Sequence, residues 1–295
     1  MKPLLDRLQA GEILVGDGAI GSMLIAHGLQ PGQCPDLITL EEPDVLAAIG
    51  RQYVEAGAVL LTTNTFGASP LKLADYGLED KTEEISGKAV AILRGVAEDR
   101  AYVTASCGPS GRILEPYGDT SEEEVYASFE RQMGALTEAD VICVETMSDL
   151  REATLAVRAA KAVLPGTPVM ATMTFDETPR GFFTIMGTSV ADAAAGLLDA
   201  GADVVGSNCG NGLEKMIKIA GHFRAATPSP ILIQSNAGQP IIEKGVVVYP
   251  EGPEFFADHT PDMIAAGASI IGGCCGTTPE HILAVRKVVQ STQQD

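Results

Sequence analysis

Hydrophobic residues along this chain gather into eight short runs, separated by longer stretches of mixed apolar and polar residues. The runs are nearly continuous in Val, Ile, Leu and Ala, which is typical of strands buried on both faces of a parallel sheet. We therefore predict strands at Ile13–Asp17, Val59–Phe66, Tyr102–Cys107, Val141–Thr146, Val169–Phe175, Val204–Cys209, Ile231–Asn236 and Ile270–Cys275.

The stretches between these runs carry helix start and stop signals. At Ser121, Glu124 follows three residues later and completes the pattern of a capping box. The seventh helix is short, with an alternative start near Glu254. The predicted helices are Asp44–Ala56, Thr82–Asp99, Ser121–Glu138, Asp149–Leu164, Ser189–Ala200, Gly212–Ala226, Asp262–Ala266 and Pro279–Gln290.

Eight strands that alternate with eight helices predict an α/β fold, specifically a (β/α)8 TIM barrel. A length of 295 residues could also accommodate two domains, but no Ser/Gly linker or change of composition marks a boundary. A doubly wound sheet is the structural alternative, and the regularity of the eight units favours closure. We expect residues 1–295 to form one barrel domain.

The composition excludes several classes of function. Lys and Arg number 20 against 39 Asp and Glu, and the resulting net charge of −19 argues against nucleic-acid and anionic-membrane partners. No apolar run approaches the ~18 residues of a membrane span, and the first residues do not resemble a signal peptide. Six cysteines are too few for a disulfide scaffold of this size, so we expect a cytoplasmic protein.

Three cysteines stand at the C-terminal ends of predicted strands, where TIM barrels place their chemistry. Cys209 ends the sixth strand, and Cys274 and Cys275 end the eighth. Three thiolates with one open coordination position have the layout of a catalytic zinc site. Neighbouring residues of a strand point to opposite faces, so the adjacent pair requires a backbone twist that the flanking glycines permit.

The alternative reading of a cysteine is a small buried hydrophobic residue. We favour that reading for Cys34, Cys107 and Cys143, and spacing alone leaves it open for the other three.

Polar residues also stand at the predicted strand ends. Asp17 and Glu145 are candidate substrate-binding acids, although a turn and a helix N-terminus, respectively, would explain them equally well. Asn64, Asn208 and Asn236 occupy similar positions and could likewise be turn residues.

Six segments together resemble the homocysteine S-methyltransferase family, and within it the homocysteine-binding barrel of cobalamin-dependent methionine synthases. The last segment is the most specific, and the six follow the family order along almost the whole chain. They are residues 17–23 (DGAIGSM), 63–66 (TNTF), 145–146 (ET), 207–209 (SNC), 236–240 (NAGQP) and 272–281 (GGCCGTTPEH).

The resemblance implies a zinc-dependent methyltransferase that activates homocysteine as a zinc thiolate and converts it to methionine. It matches Cys209, Cys274 and Cys275 to the three zinc ligands, which would carry the catalysis. Substrate contacts are implied for the acids Asp17 and Glu145 at the amino group, for the backbone of Gly18 and Ala19 at the carboxylate, and for Asn64 and Asn208.

The implied methyl donor is a corrinoid, methylcobalamin, carried by a partner protein and supplied from methyltetrahydrofolate. A small free donor such as S-methylmethionine or a betaine is the alternative. The segment 181–188 is more apolar than expected for this family and could reshape the mouth where a donor docks. We expect these residues to hold the barrel alone, without folate-binding, cobalamin-binding or reactivation modules.

The sequence leaves two other classes of function open. A non-catalytic zinc- or thiol-binding barrel would share the cysteines, although a structural zinc site needs a fourth protein ligand. A dinucleotide-binding oxidoreductase is suggested only by the letters GDGAIG at residues 16–21, which are a weak signal outside a Rossmann unit.

Overall fold

A computed structural model describes residues 1–243 and 246–293, and its centre is a parallel sheet that curves into a barrel. All eight predicted strands are present. The strands are β1 (Leu14–Val15), β2 (Leu60–Thr62), β3 (Tyr102–Cys107), β4 (Val141–Met147), β5 (Val169–Met173), β6 (Asp176–Thr178), β7 (Gly181–Phe183), β8 (Val204–Asn208), β9 (Ile231–Ser235), β10 (Ile241–Glu243), β11 (Val246–Val248) and β12 (Ile270–Gly273).

Eight of these strands form the barrel, in the order β1-β12-β9-β8-β5-β4-β3-β2. A parallel bridge between Gly16 and Leu60 brings the first and last strands of that order together. There the Asp17 amide donates to the Leu60 carbonyl at 3.1 Å, and the Val59 amide donates to the Val15 carbonyl at 2.8 Å. The prediction of a (β/α)8 barrel is therefore confirmed.

Helices surround the barrel and cover its outer surface. The described residues form α1 (Leu4–Gln9), α2 (Ile20–Ala26), α3 (Ile38–Glu41), α4 (Pro43–Glu55), α5 (Pro70–Leu73), α6 (Thr82–Ala97), α7 (Glu122–Gly134), α8 (Leu150–Val163), α9 (Val190–Asp199), α10 (Leu213–Ala226), α11 (Pro253–Ala265) and α12 (Pro279–Thr292), together with three short 3-10 turns. The capping box is confirmed, because the Glu124 amide donates to Ser121 Oγ and the Ser121 amide donates to the Glu124 carboxylate.

The seventh helix, α11, begins at Pro253, as the alternative start near Glu254 predicts, whereas the range Asp262–Ala266 misses its first turns. The helix continues through Pro261. The reason is packing, since the added turns bury Phe256 and Thr260 beside Met263. Tertiary contacts outweigh the missing backbone hydrogen bond of one proline.

The N-terminal end of the barrel is closed by α1, an element that the apolar pattern did not predict. Leu4 and Leu8 pack in one cluster with Leu14, Leu60, Tyr102, Val141, Cys143, Met170, Val204, Leu232 and Ile270, which are residues at or near the starts of the barrel strands. The main core lies between the strands and the outer helices. A cavity inside this barrel can therefore open only at the C-terminal ends of the strands.

Two hairpins extend from those C-terminal ends and were also missed. β6 and β7 pair after β5, and β10 and β11 pair after β9. Across residues 1–243 and 246–293, no helix combines the length and the apolar character needed to cross a bilayer.

Candidate metal and substrate site

Three cysteine sulfurs meet at the C-terminal mouth of the barrel. Cys209 directly follows β8, and Cys274 and Cys275 directly follow β12. Their sulfurs all lie within 4.8 Å of one another, and the Sγ atoms of Cys209 and Cys275 are 3.8 Å apart. Strand β12, the last strand of the barrel in chain order, ends at Gly273, earlier than predicted. The adjacent cysteines therefore lie in a turn, where the alternation of strand side chains does not apply.

The backbone around the sulfurs is held in a specific conformation. Cys209 has a φ of 62°, a left-handed value that is uncommon for a residue with a side chain. Its amide donates to the Gln234 carbonyl at 3.1 Å, the Cys274 amide donates to the Ser235 carbonyl at 2.7 Å, and the Cys275 carbonyl accepts from Ala237 at 2.9 Å. The end of β9 and the loop after it therefore join the two cysteine-bearing loops.

The three sulfurs fit a zinc ion. Tetrahedral zinc with Zn–S bonds of about 2.3 Å places its sulfur ligands about 3.8 Å apart, which is the separation of Cys209 and Cys275. Among the described residues this is the single cluster of three potential Cys, His, Asp or Glu ligands. The buried Oδ1 of Asn236, next to this cluster in the β9 loop, also has no hydrogen-bond partner in the described chain. Three sulfurs leave a fourth position open, as in catalytic zinc sites.

The sulfurs perturb one another's protonation. Hydrogen bonds to Cys209 and Cys275 raise the pKa of the Cys274 thiol well above its ordinary value. The pKa of Cys275 is lowered, because Cys209 and Cys274 donate hydrogen bonds to it. One thiolate is thus stabilised by its neighbours, and a bound cation would be needed to keep all three ionised.

A cavity of about 270 Å³ adjoins the sulfur cluster. Its wall includes Ala19, Asn64, Ser106 and Glu145. Asp36 and Glu145 contribute the carboxyl groups, and none of the described lining residues is Lys, Arg or His. The cavity therefore favours a ligand that carries positive charge or a donor group on the side facing Glu145.

Glu145 is held in a fixed orientation on this wall. Its Oε1 accepts from Ser106 Oγ at 2.5 Å, and its Oε2 accepts from Asn208 Nδ2 at 3.1 Å. Burial, with a smaller contribution from the nearby Cys209, raises the pKa of Glu145 to about 7 against the lowering effect of the Ser106 hydrogen bond. A cationic group in the cavity would stabilise the ionised carboxylate.

Asn208 connects the metal loop with the acid. Its side chain is fully buried and is fixed by four hydrogen bonds. Oδ1 accepts from the Thr146 amide at 2.7 Å and from Thr172 Oγ1 at 2.8 Å, and Nδ2 donates to Thr146 Oγ1 at 2.7 Å and to Glu145. Thr146 has a φ of 59°, a genuine outlier for a β-branched residue, and Asn208 holds it there.

Asp17 lies behind the cavity wall. Its side chain is 2% exposed, and both of its carboxylate oxygens accept hydrogen bonds from Thr62, at 2.6 Å from the amide and 2.7 Å from the hydroxyl. Burial, with a smaller contribution from Glu145, raises the pKa of Asp17 to about 7 against the lowering effect of these two bonds. The structure thus brings the acid near Glu145, while its contact with a substrate stays a prediction.

The other predicted substrate residues line the cavity. Asn64 Nδ2 donates to the Pro35 carbonyl at 2.7 Å and so anchors the loop after β2. Gly18 and Ala19 both face the cavity, but the Ala19 amide already donates to Thr277 Oγ1 at 3.1 Å. The backbone of Gly18 is therefore the better placed of the two to receive a carboxylate.

The sequence did not single out three further residues of the site. Ser106 lay inside a predicted strand, and only barrel closure reveals that it contacts Glu145. Asp36 lies in the 3-10 turn Pro35–Leu37 and Tyr249 in an irregular loop, both without a motif. Cys34, Cys107 and Cys143 are buried away from the cluster, as predicted.

The raised pKa of Asp17 makes stability depend on pH. Between about pH 4 and pH 7 the folded chain holds a proton on Asp17 that the unfolded chain has released, so the free energy of unfolding falls as pH rises. Asp17→Asn should reduce the difference in that free energy between pH 5 and pH 8 by about 2–3 kcal/mol, at ~1.4 kcal/mol per pKa unit. Urea unfolding with a chelator present measures it.

An exposed acid provides the control for this measurement. Glu123→Gln should leave the difference between pH 5 and pH 8 as it is in the unmodified protein. If Asp17→Asn also leaves it unchanged, the carboxyl is already ionised in the folded state at pH 5.

Comparison with known proteins finds one matching family and several similar proteins. The sequence matches the family described as Homocysteine S-methyltransferase over residues 14–289. Methionine synthase from Mycobacterium leprae (strain TN) is 34% identical over 307 residues, covering 97% of this chain. Methionine synthase from Mycobacterium tuberculosis (strain ATCC 25618 / H37Rv) is 33% identical over 310 residues, covering 99% of it. The chain spans about a quarter of the length of these relatives, 25% and 26% respectively.

A solved structure matches over nearly its full length. The metallated form of the homocysteine methyltransferase MmuM from Escherichia coli superposes with a TM-score of 0.79 and 26% sequence identity. The match covers 97% of this chain and 99% of that one.

Proposed function

The chain belongs to the homocysteine S-methyltransferase family, and from this premise we propose that it methylates the thiol of homocysteine to give methionine. The observation that carries the proposal is the cluster of Cys209, Cys274 and Cys275 at the edge of an acidic cavity. A structural zinc site would be closed by a fourth protein ligand, and this open cluster instead faces space for a substrate.

We propose that Zn²⁺ is the cofactor and that these three cysteines hold it. When bound, zinc supplies a Lewis acid that keeps a substrate thiol ionised at neutral pH, where a free thiol with a pKa of about 8.5 is mostly protonated. The protein then needs no general base for the thiol.

The cavity residues bind and orient the amino-acid end of the substrate. Glu145 offers its carboxylate to the ammonium group, and Ser106 and Asn208 fix its direction. Asp17 adds negative charge behind the same wall, and the backbone of Gly18 faces the position for the substrate carboxylate. These contacts position the sulfur beside the cysteine cluster.

Glu145→Gln should raise the KM for homocysteine about 10- to 100-fold and change kcat much less. The reason is the loss of a charge-assisted hydrogen bond, which contributes about 1.5–3 kcal/mol. Steady-state kinetics at pH 8, where Glu145 is ionised, give the measurement.

The substrate analogue 4-mercaptobutyrate, which differs from homocysteine only in lacking the ammonium group, is the matched control. It should bind the unmodified protein and the variant with similar KM. An unchanged homocysteine KM in Glu145→Gln would show that the ammonium lies elsewhere.

We propose that the methyl donor is a corrinoid, methylcobalamin, presented by a partner protein. The support is the apolar character of the loops around the mouth, which carry large exposed hydrophobic side chains. This apolar rim consists of Phe66, Ile113, Tyr117, Ile185, Met186, Ile241, Ile242 and Val247. Ile185 and Tyr117 are each 80% exposed, and exposed apolar surface of this kind marks sites of protein association.

A small cationic donor is the second candidate, and a different observation favours it. The described lining of the cavity has carboxyl groups and no basic side chain, and the Phe66 ring stands at its edge. S-methylmethionine or a betaine would place a positive charge where acidic and aromatic groups attract it.

A turnover assay with each donor distinguishes these candidates. The zinc-loaded protein is given homocysteine with S-methylmethionine, betaine, or methylcobalamin bound to the cobalamin module of a methionine synthase. We expect the last to be used, and Ile185→Glu to lower its kcat/KM at least about 10-fold because a charge would enter a desolvated contact.

Leu283→Glu, at an exposed position on α12, is the control and should have no effect. Turnover with a small donor that Ile185→Glu does not change would establish the second candidate. No turnover with any donor would instead favour a non-catalytic zinc- or thiol-binding barrel.

A further inference from the structure

Gln234 stands on the strand between the two that lead into the cysteines. It lies in β9, where it is paired with Asn208 of β8 on one side and with Gly272 of β12 on the other. Residues paired in this way point to the same face of a sheet, and Asn208 points into the barrel towards Glu145. Gln234 therefore points into the barrel as well, and its side chain lines the cavity. Its carbonyl accepts from the Cys209 amide at 3.1 Å, which fixes it relative to the sulfur cluster.

The absence of a side chain at Gly272 leaves room for Gln234. A Cβ atom at Gly272 would lie 3.2 Å from Cγ of Gln234 and 3.0 Å from the Asp17 carbonyl oxygen. The glutamine side chain and the peptide between Asp17 and Gly18 therefore meet over Gly272. The backbone of Gly18 is where we place the substrate carboxylate, so Gln234 approaches the same part of the cavity.

The carboxamide of Gln234 has no hydrogen-bond partner in the described chain. Its Oε1 is buried and unpaired. Its Nε2 makes no hydrogen bond within residues 1–243 and 246–293 either, but unlike Oε1 it is accessible, and the space beside it is the cavity. Polar groups at buried sites are nearly always paired, so an unpaired amide N–H on a cavity wall points to a ligand that accepts from it.

A carboxylate is the ligand group that fits this donor. The described lining of the cavity contains no Lys, Arg or His, so an anionic group there has to be bound by uncharged donors. Two of these donors are already committed, since Asn64 Nδ2 donates to a backbone carbonyl and Ser106 Oγ donates to Glu145. An N–H group cannot pair with an ammonium group, because both are donors. The ammonium of an amino acid therefore belongs at Glu145, and its carboxylate belongs at Gln234.

We propose that Gln234 is a further substrate-binding residue, whose Nε2 donates a hydrogen bond to the carboxylate of the thiol substrate and so selects thiols that carry one. The inference rests on the proposed function, because it takes homocysteine as the ligand of this cavity. Glu145 and Gln234 then bind the two charged groups of the amino acid from different strands, β4 and β9. The bond from Cys209 to the Gln234 carbonyl holds this contact at a fixed distance from the sulfur cluster.

Binding of three thiols to the zinc-loaded protein, measured by calorimetry without a methyl donor, tests the proposal. The thiols are homocysteine, 4-mercaptobutyrate, which lacks the ammonium group, and 3-aminopropane-1-thiol, which lacks the carboxylate. Gln234→Met keeps the length of the side chain and removes the donor. We expect it to weaken the binding of homocysteine and 4-mercaptobutyrate about 10- to 100-fold and to change that of 3-aminopropane-1-thiol less than twofold. Glu145→Gln should give the opposite pattern with the two analogues.

Two further variants separate a lost contact from a damaged site. Gln234→Glu has nearly the same shape but places a negative charge where the donor was, so it should abolish the binding of 4-mercaptobutyrate and leave 3-aminopropane-1-thiol bound at least as tightly. Gln52→Met, the same replacement at an exposed position of α4, is the matched control and should change the binding of none of the three thiols.

Two results would overturn the proposal. One is equal weakening of all three thiols by Gln234→Met, which a structural role would produce, and the other is unchanged binding of 4-mercaptobutyrate. Failure of the unmodified protein to bind homocysteine would instead overturn the proposed function and this inference with it, so the two failures are distinguishable.

Discussion

Replacing Cys274 with alanine should remove bound zinc and lower methyl transfer by at least ~10³-fold. Loss of a residue that only orients a metal ligand typically costs 10- to 100-fold in metal affinity or activity, and loss of the ligand itself should cost more. Two sulfurs would remain from a cluster whose members lie within 4.8 Å of one another. Zinc content by atomic emission and turnover with homocysteine give the two measurements.

The same result is expected for Cys209→Ala and Cys275→Ala. Cys34→Ala is the matched control, because Cys34 is a buried cysteine outside the cluster and should leave the zinc content near one ion per chain. Full activity in a zinc-free triple variant of the cluster would refute the metal-dependent reaction.

Asn208→Leu should lower the free energy of unfolding by about 3–5 kcal/mol. The change preserves the approximate size of the side chain and removes four hydrogen bonds at once. The Thr146 amide and Thr172 hydroxyl then lose an acceptor, and each unsatisfied buried group costs about 1–3 kcal/mol. Urea denaturation gives the measurement, and the KM for homocysteine should rise as well, because Glu145 loses one of its two supports.

Thr172→Val gives a graded control for this network. It removes one of the four bonds in a nearly isosteric change and should cost about 1 kcal/mol. A similar cost for both variants would mean that water replaces Asn208 in the network.

The barrel could be predicted because its signal is local. Each strand buried on both faces requires a nearly continuous apolar run, and return helices such as α7, α8 and α9 begin at a capping side chain. α1 left no such signal, since six residues are too short to be helical without tertiary contacts, and Leu4 and Leu8 acquire these only from the assembled strand starts. The two hairpins likewise depend on packing at the mouth.

The site residues also divide into those that the sequence predicts and those that depend on tertiary contacts. The cysteines could be found because three rare residues stood at strand ends, and the family resemblance added their assignment as ligands. The bond from Ser106 to Glu145 joins neighbouring strands, so it depends on the register between β3 and β4. The left-handed conformations of Cys209 and Thr146 depend on hydrogen bonds with residues distant in the chain, and no local residue preference predicts them.

The closure of one barrel end by α1 determines the order of events at the other. Every molecule must enter and leave through the same mouth, because Leu4 and Leu8 seal the opposite end. A donor protein seated on the apolar rim would cover whatever lies beneath it. In the proposed reaction with a donor protein, homocysteine would have to bind before the donor docks, and methionine could leave only after the donor has withdrawn, so we expect compulsorily ordered kinetics.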